Sequence, residues 1–298
     1  MSPGTRHPRI GYTRLSMTSY YEDREANHFK TATSVSYLVD LLSRGGLSNT
    51  EHLRLLDLCS GTGCIPLLFH HDFYSRPSNG HISLDLVGID ISNHALALAR
   101  QNQSAQLSGF AAGKAEEFSR SLERMSFIQA DVLRTSHTTS DTIPTVSDAL
   151  NLTATHPPKF DILISNPPYI SSHDYTRTTS RSVRDFEPKL ALVPPHSSTS
   201  FTHDGDLFYP RLLDIAKRVD AKVVLFEVAD LAQAERVVAS AVQQGQWAGV
   251  EIWRDQPGDS SACNETLSVV NENIKIRGSG NGRSILRYRG EGEAWLGI

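Results

Sequence analysis

Residues 55–65 read LLDLCSGTGCI. Apolar residues from Leu53 onward run into Asp57, and small residues then carry the chain to Gly61-Thr62-Gly63. A helical pattern begins at once, with Pro66 placed where a first helical turn tolerates it. A strand that ends in a glycine loop and turns straight into a helix is the opening of a βα unit. Its loop lies beyond the carboxyl end of the strand, where ligands gather in open α/β sheets and glycine lets one approach the backbone. A loop for a dinucleotide pyrophosphate would read G-x-G-x-x-G. Here the position three after Gly63 is Pro66, so the loop departs from the nucleotide-phosphate pattern.

The same rhythm continues along the chain. Further apolar strands are predicted at 83–90 (SLDLVGID), 125–133 (MSFIQADVL), 160–165 (FDILIS), 221–230 (AKVVLFEVAD), 247–255 (WAGVEIWRD) and 283–290 (RSILRYRG). Helices are predicted at 31–43, with Val35, Leu38, Val39 and Leu42 on one face, and at 92–107, 206–219 and 231–244. Continuously apolar strands that alternate with amphipathic stretches predict an α/β fold: a doubly wound, parallel sheet covered on both faces. Three polar, turn-rich stretches near 134–158, 193–203 and 254–282 break the rhythm. They are expected as surface loop insertions within one domain over 31–298.

Bulk properties narrow the function classes. The chain has 298 residues, a formal net charge of −4 and 39% hydrophobic residues, which fits a soluble globular protein without a global basic field for nucleic acid. Cys59, Cys64 and Cys263 are odd in number and contain no C-x-x-C, so neither a disulfide framework nor a metal site is expected. His70, His71 and His173 have no partners at ligand spacing and read as solvated helix-end and loop residues. No apolar run approaches the ~18 residues that span a bilayer, so no membrane association is expected. Residues 1–30 read as an N-terminal tail. The first 21 hold Arg6, Arg9 and Arg14 with no acid before Glu22, the composition of a mitochondrial transit segment, although Pro3, Pro8 and Gly11 interrupt it. A plain tail fits the composition equally, which leaves mitochondrial and cytoplasmic locations both open.

The strand ends carry the chemistry. VGIDIS places Asp90 where a carboxylate can accept hydrogen bonds from both hydroxyls of a ribose. The third strand ends in Ala130-Asp131-Val132, where an acid or a backbone amide can meet the edge of adenine while Val132 covers its face. With Asp57 near an amino-acid moiety, three consecutive strand ends of this kind describe the nucleoside pocket of a methyltransferase, with S-adenosyl-L-methionine as cofactor.

The fourth strand delivers FDILISNPPYIS (160–171) to the same edge. A planar amide nitrogen is a poor nucleophile because its lone pair is delocalised, and it needs acceptors for both N–H groups. Asn166 Oδ1 offers one, and the carbonyl of Pro167 offers another, since Pro168 fixes the backbone and has no N–H. Tyr169 can pack on the planar group and exclude water. This is a pattern for methylation of an amino or amide nitrogen, achieved mainly by positioning.

At these residues the chain resembles the HemK/PrmC family of protein-(glutamine-N5) methyltransferases, including its mitochondrial members. DLCSGTGCI (57–65) is similar to the family's cofactor loop, VGIDISNHALALARQN to its second strand and helix, FIQADV to its third strand, and ISNPPYIS to its signature. FEPKLAL (186–192) and DGDLFYPRLL (204–213) resemble its E-P-x-x-A-L and D-G-L-x-x-Y blocks. VLFEVADLAQAERV resembles its late strand and helix, and GNGRSIL its terminal G-x-x-R strand. The resemblance implies a seven-stranded, Rossmann-like class I S-adenosylmethionine-dependent methyltransferase fold. It implies methylation of the glutamine in the Gly-Gly-Gln motif of a class I peptide chain release factor, in translation termination, by a monomer that holds no nucleic acid stably.

Carried over residue by residue, Asn166, Pro167, Pro168 and Tyr169 would bind the substrate glutamine. Cys59, Ser60, Gly61, Thr62, Gly63, Asp90, Asp131, Val132 and Asn166 would bind cofactor. In two places the chain departs from the family. ATSVS (32–36) stands where the family has R-P-E-T-E, and the residues before 31 leave almost no room for the family's N-terminal helical domain. The alternative reading is a nucleic-acid amino-methyltransferase acting on adenine N6 or guanine N2, since N-P-P-Y serves flipped bases as well.

Overall fold

A computed structural model of the chain describes residues 26–47, 50–110, 116–136, 142–152, 159–195, 203–245, 247–261 and 265–298. Its central strand, β1 (His52–Leu58), pairs in parallel with β2 (Ser83–Asp90) on one side and β4 (Ile162–Ser165) on the other. β3 (Ser126–Gln129) extends the sheet past β2, and β5 (Val223–Glu227) extends it past β4, again in parallel.

Side-chain alternation divides the apolar runs between two cores. Leu53, Leu55, Ile162, Ile164, Val223 and Leu225 face one, while Leu56, Leu58, Leu163, Val224 and Phe226 face the other. The first core is closed by α1 (Ala26–Arg44), α2 (Cys64–Tyr74), α3 (Asn93–Phe110) and α4 (Glu116–Arg124). The predicted stripe of α1 is there: Val35, Leu38, Val39 and Leu42 are all fully buried. The second core is closed by α5 (Val146–Asn151), α8 (Tyr209–Arg218) and α9 (Leu231–Gln244). Two short helices, α6 (Ser172–Arg177) and α7 (Arg181–Phe186), follow β4.

The last strand differs from the parallel expectation. β9 (Ser279–Tyr288) runs antiparallel between β5 and β6 (Gly249–Gln256). The sheet order is β3-β2-β1-β4-β5-β9-β6-β8-β7. Its first seven strands form the Rossmann-like sheet of a class I methyltransferase, and two more extend it to nine.

Those two strands correct the reading of 254–282 as a polar surface loop. β7 (Glu265–Val269) and β8 (Glu272–Arg277) form an antiparallel hairpin there. Val270 and Asn271 both have positive φ, 49° and 65°, the twist a two-residue hairpin turn needs. β8 buries only Ile274 and Ile276, so its solvent-facing polar half dominates the composition and hides the strand. Gly278, at φ 83°, then carries the chain around the end of β6, where an added Cβ would lie 2.0 Å from Gln256 O.

The stretch 134–158 likewise holds α5, whose N-cap Thr145 accepts a hydrogen bond from the Asp148 amide. The third strand ends at Gln129, earlier than expected, and Asp131 makes an isolated bridge to Thr145. No described helix is long and apolar enough to cross a membrane. Residues 26–30, read as tail, are the first residues of α1. His70 is not solvated: it is fully buried in α2, its Nε2 3.0 Å from Phe118 O. The readings made for residues 1–25, 196–202 and Cys263 lie outside the described residues.

Candidate active site

Register decides what meets at the rim of the sheet. Ile128, Ile89, Leu58, Ser165 and Phe226 stand side by side in successive strands. One residue further along every strand come Gln129, Asp90, Cys59, Asn166 and Glu227. Acid, glycine-loop entrance, amide and second acid therefore share one level at the carboxyl ends.

The loop after β1 is held in an unusual backbone path. Cys59, Gly61 and Gly63 all have positive φ, 61°, 54° and 75°. Gly63 is required: an added Cβ would meet the Phe127 ring at 2.8 Å. At Gly61 the same atom would meet nothing within 4 Å, so the loop presents bare backbone to open space. Asp90 fastens the loop, with Oδ2 accepting from the Gly61 amide and Oδ1 from the Ser92 amide, both at 2.8 Å. Each of these oxygens keeps a second lone pair for a hydroxyl donor. Burial raises the Asp90 pKa, and the backbone N–H bonds oppose the rise. Thr62 is anchored through its carbonyl, which accepts from Asn102 Nδ2 at 3.0 Å.

Asp57 lies behind this loop and is fully buried. Neither of its oxygens has a hydrogen-bond partner, nor has the buried Ser60 Oγ beside it. Burial pushes the Asp57 pKa up to about 8; the nearby Ser60 hydroxyl offsets part of this rise and Asp90 adds to it. The Cys59 thiol is pushed well above its usual range, first by burial and then by Asp90 and Asp57, so it stays protonated.

Asp131 stands at the end of β3 but turns into its own loop. Its Oδ1 accepts from the Leu133 amide at 2.9 Å, Oδ2 faces Arg134 at 3.7 Å, and its amide donates to Pro144 O. The amide is thus already engaged, while the carboxylate, like that of Asp90, keeps lone pairs beyond the bond that forms its own turn. Val132 is buried, and its carbonyl accepts from Arg211 Nε at 3.1 Å.

The Asn166–Tyr169 turn is half-buried at both ends, with Pro167 and Pro168 buried between them. Asn166 Nδ2 points to Thr31 Oγ1 at 3.5 Å. The Tyr169 hydroxyl donates to Glu227 Oε1 at 2.9 Å, and Thr31 donates to Glu227 Oε2. Burial and the Glu227 charge hold the Tyr169 pKa well above its usual value, so this phenol orients and does not carry protons. The turn is braced from outside. The Ile170 amide donates to Leu192 O at 2.9 Å, the Ser172 amide to Asp204 Oδ2 at 2.9 Å, and Gln233 Nε2 to Tyr169 O at 3.3 Å. Gly205 is obligatory in this bracing, since a Cβ there would lie 2.5 Å from Tyr169 O.

Thr31 had no assigned role in the sequence reading, and Glu227 entered it only as a matched strand residue. An acid closing the apolar run VVLF is a readable signal, whereas nothing local marks Thr31. No group of three or more metal-ligating side chains occurs among the described residues.

These features fit an adenosyl amino-acid cofactor. An unpartnered buried carboxylate suits its ammonium, the open backbone at Gly61 suits a closely packed ligand, and Asp90 suits a ribose.

Comparison with known proteins agrees with this geometry. The chain is 28% identical over 221 residues to a Schizosaccharomyces pombe protein named "Probable MRF1 mitochondrial N(5)-glutamine methyltransferase mtq1", covering 74% of this chain and 60% of that one. It is 30% identical over 167 residues to the Saccharomyces cerevisiae "Mitochondrial MRF1 N(5)-glutamine methyltransferase MTQ1", covering 55% of this chain and 41% of that one. By sequence, the chain is a homologue of the release factor glutamine methyltransferases. A third homologue, 29% identical over 204 residues and matched over 68% of this chain and 45% of its own, is the Francisella tularensis "Ribosomal protein uL3 glutamine methyltransferase". The chain thus spans between two fifths and three fifths of the length of these homologues. No protein-family model matches. Among solved structures, an S-adenosylmethionine-dependent methyltransferase from Agrobacterium tumefaciens is 12% identical with a TM-score of 0.42, covering 87% of this chain and 62% of that one. That likeness is too remote to bear on function.

Proposed function

We propose that the chain transfers a methyl group from S-adenosyl-L-methionine to the side-chain amide nitrogen of the glutamine in the Gly-Gly-Gln motif of a release factor. The observation that carries this reading is the level shared by Asp90, Cys59 and Asn166, with Asn166 Nδ2 directed to Thr31 and its Oδ1 left as an acceptor. The cofactor, when bound, would supply an activated methyl group, and the carboxamide nitrogen that accepts it gives up one of its two protons to solvent.

Asp57 and Ser60 receive its amino-acid end, the Cys59–Gly63 backbone lies along it, and Asp90 accepts from its ribose. Asn166 Oδ1 and the Pro167 carbonyl accept the two N–H groups of the substrate carboxamide, which turns the nitrogen's lone pair out of the hydrogen-bond plane. The buried prolines and the fixed Tyr169 ring exclude water from that contact. Catalysis by these residues is positional: Tyr169 keeps its own proton on the hydrogen bond to Glu227 and takes none from the substrate.

Two yeast homologues named as mitochondrial, together with the basic, hydroxyl-rich first 21 residues, support a mitochondrial location. The homologues' named substrates are glutamine side chains of proteins, which supports an amide acceptor over a nucleobase.

The test is incubation with methyl-labelled cofactor and, separately, a mitochondrial release factor, ribosomal protein uL3 and single-stranded DNA or RNA, followed by mass mapping. Label on the Gly-Gly-Gln glutamine is expected. Label confined to uL3 would move the substrate, and label on a base would overturn the amide reading.

Removing the Asp90 carboxylate deletes both the ribose acceptor and the clasp on Gly61. Asp90→Ala is expected to raise the cofactor Kd by about 10- to 100-fold, the scale of hydrogen bonds to a charged group. Calorimetry on the variant measures this, and an affinity equal to wild type would remove Asp90 from the pocket.

A further inference from the structure

A carboxamide can be placed in its site either way round, and only one way serves the acceptor role given to Asn166. The choice is made by hydrogen-bond polarity. A carboxylate only accepts, and a hydroxyl has a single hydrogen. Thr31 spends that hydrogen on Glu227 Oε2, so toward Asn166 it can only accept. The atom of Asn166 facing it must then carry hydrogen, and the amide nitrogen does, at 3.5 Å. Oδ1 is left on the other side of the planar group.

We infer that Glu227 is a positioning residue that acts through Thr31 to set which end of the Asn166 carboxamide faces the substrate. The inference rests on the acceptor role proposed for Asn166 and deepens it.

The strand register and three further hydrogen bonds support the arrangement. Register sets Glu227 beside Asn166 in the sheet, because Phe226 pairs with Ser165. The second oxygen of the same carboxylate takes the Tyr169 hydroxyl at 2.9 Å, so one acid holds the last residue of the Asn-Pro-Pro-Tyr turn directly and the first through Thr31. The backbone of Glu227 is itself fixed, with its carbonyl accepting from the Tyr209 hydroxyl at 2.9 Å. On α1, Ser34 lies three residues after Thr31 and on the same face, and Ser284 Oγ donates to it at 2.9 Å. The helix that carries Thr31 is therefore fixed to β9, next to the strand that carries Glu227.

The chain Glu227–Thr31–Asn166 predicts different results for variants of similar shape. Thr31→Val keeps the volume and removes the hydroxyl. It is expected to lower kcat about tenfold or more, with KM for the protein substrate and Kd for the cofactor little changed. Thr31→Ser restores the rate. Glu227→Gln presents an N–H to Thr31 and allows the hydroxyl to reverse, which is expected to lower kcat in the same way.

A second readout needs no substrate. In 15N-labelled protein, the Asn166 side-chain NH₂ resonances, assigned by their loss in Asn166→Asp, should shift and exchange faster with water in Thr31→Val and Glu227→Gln. They should return to their original positions in Thr31→Ser. Resonances unmoved in both variants would overturn the inference, as would a rate loss in Thr31→Ser equal to that in Thr31→Val. Should Glu227→Gln fail to fold, Thr31→Val and Thr31→Ser decide the matter alone. If wild type methylates no glutamine while the resonances move as described, the functional reading fails and the polarity relay stands.

Discussion

Asn166→Ala is expected to lower kcat for glutamine methylation by about 10²–10³-fold, the scale on which removal of one well-placed hydrogen-bonding group acts on a reacting centre. The reason lies in the nucleophile. A carboxamide nitrogen reacts only when its N–H groups are held and its lone pair is aimed, and in the proposed site Asn166 Oδ1 is one of two acceptors that do this. The prolines of the turn remain in the variant, so the backbone and the Pro167 carbonyl should keep their places.

In the proposed pocket cofactor binding depends on Asp57, Ser60 and Asp90, of which Asp57 is completely buried behind the loop. Its Kd should therefore change by less than about threefold, within the range of surface-type substitutions. Single-turnover kinetics with saturating cofactor separate the two quantities. A variant that loses cofactor binding and retains its rate at saturation would transfer Asn166 from the chemistry to the cofactor pocket.

The second large effect is on pH. Asp57 has no hydrogen-bond partner, and burial pushes its pKa up to about 8, so in the free protein it holds a proton at neutral pH. An ammonium placed beside it favours the carboxylate, so binding of the cofactor releases that proton. Cofactor affinity is then expected to rise about tenfold per pH unit between pH 6 and 7, and to level off above about pH 8. Titration calorimetry in buffers of different ionisation enthalpy will register close to one proton released per site at pH 7.

Asp57→Asn removes the titrating group. Its Kd should be flat across the same range and weaker than wild type by about 10- to 100-fold at pH 8.5. A wild-type affinity independent of pH would place the ammonium elsewhere. The same proton acts on stability in the opposite sense. Between the unfolded pKa near 4 and the folded value near 8 the folded state binds more protons, so the free protein loses stability as pH rises through that window.

The cofactor edge and the Asn-Pro-Pro-Tyr turn were legible because each is a local pattern. Continuous apolar runs fixed β1, β2 and β4 to within two residues and β5 to within three, and parallel register then brought Asp90, Cys59 and Asn166 to one level without further information. Asp131 shows where local reading stops. Its place near a strand end could be read, but the turn its carboxylate makes with Leu133 and the bridge to Thr145, fourteen residues away across a polar stretch, could not.

Thr31 and Glu227 were beyond reach for another reason. They are 196 positions apart and meet only after α1 has packed over the finished sheet. The hairpin in 254–282 was hidden by composition, since a strand with one solvated face at the margin of a sheet carries few apolar residues. The antiparallel course of β9 follows from the turn at Gly278, which an apolar run alone cannot announce.

The position of β9 has a consequence for the order in which the fold comes into being. This strand lies between β5 and β6, and its Ser284 ties back to Ser34, 250 positions earlier. A nascent chain emerging from the ribosome can carry its whole ligand-binding loop and its signature turn while the seam that seats the first helix is still being synthesised. Turnover should therefore switch on late and abruptly, when the final strand is inserted into the gap prepared for it, and a chain ending before that strand should bind little and methylate nothing.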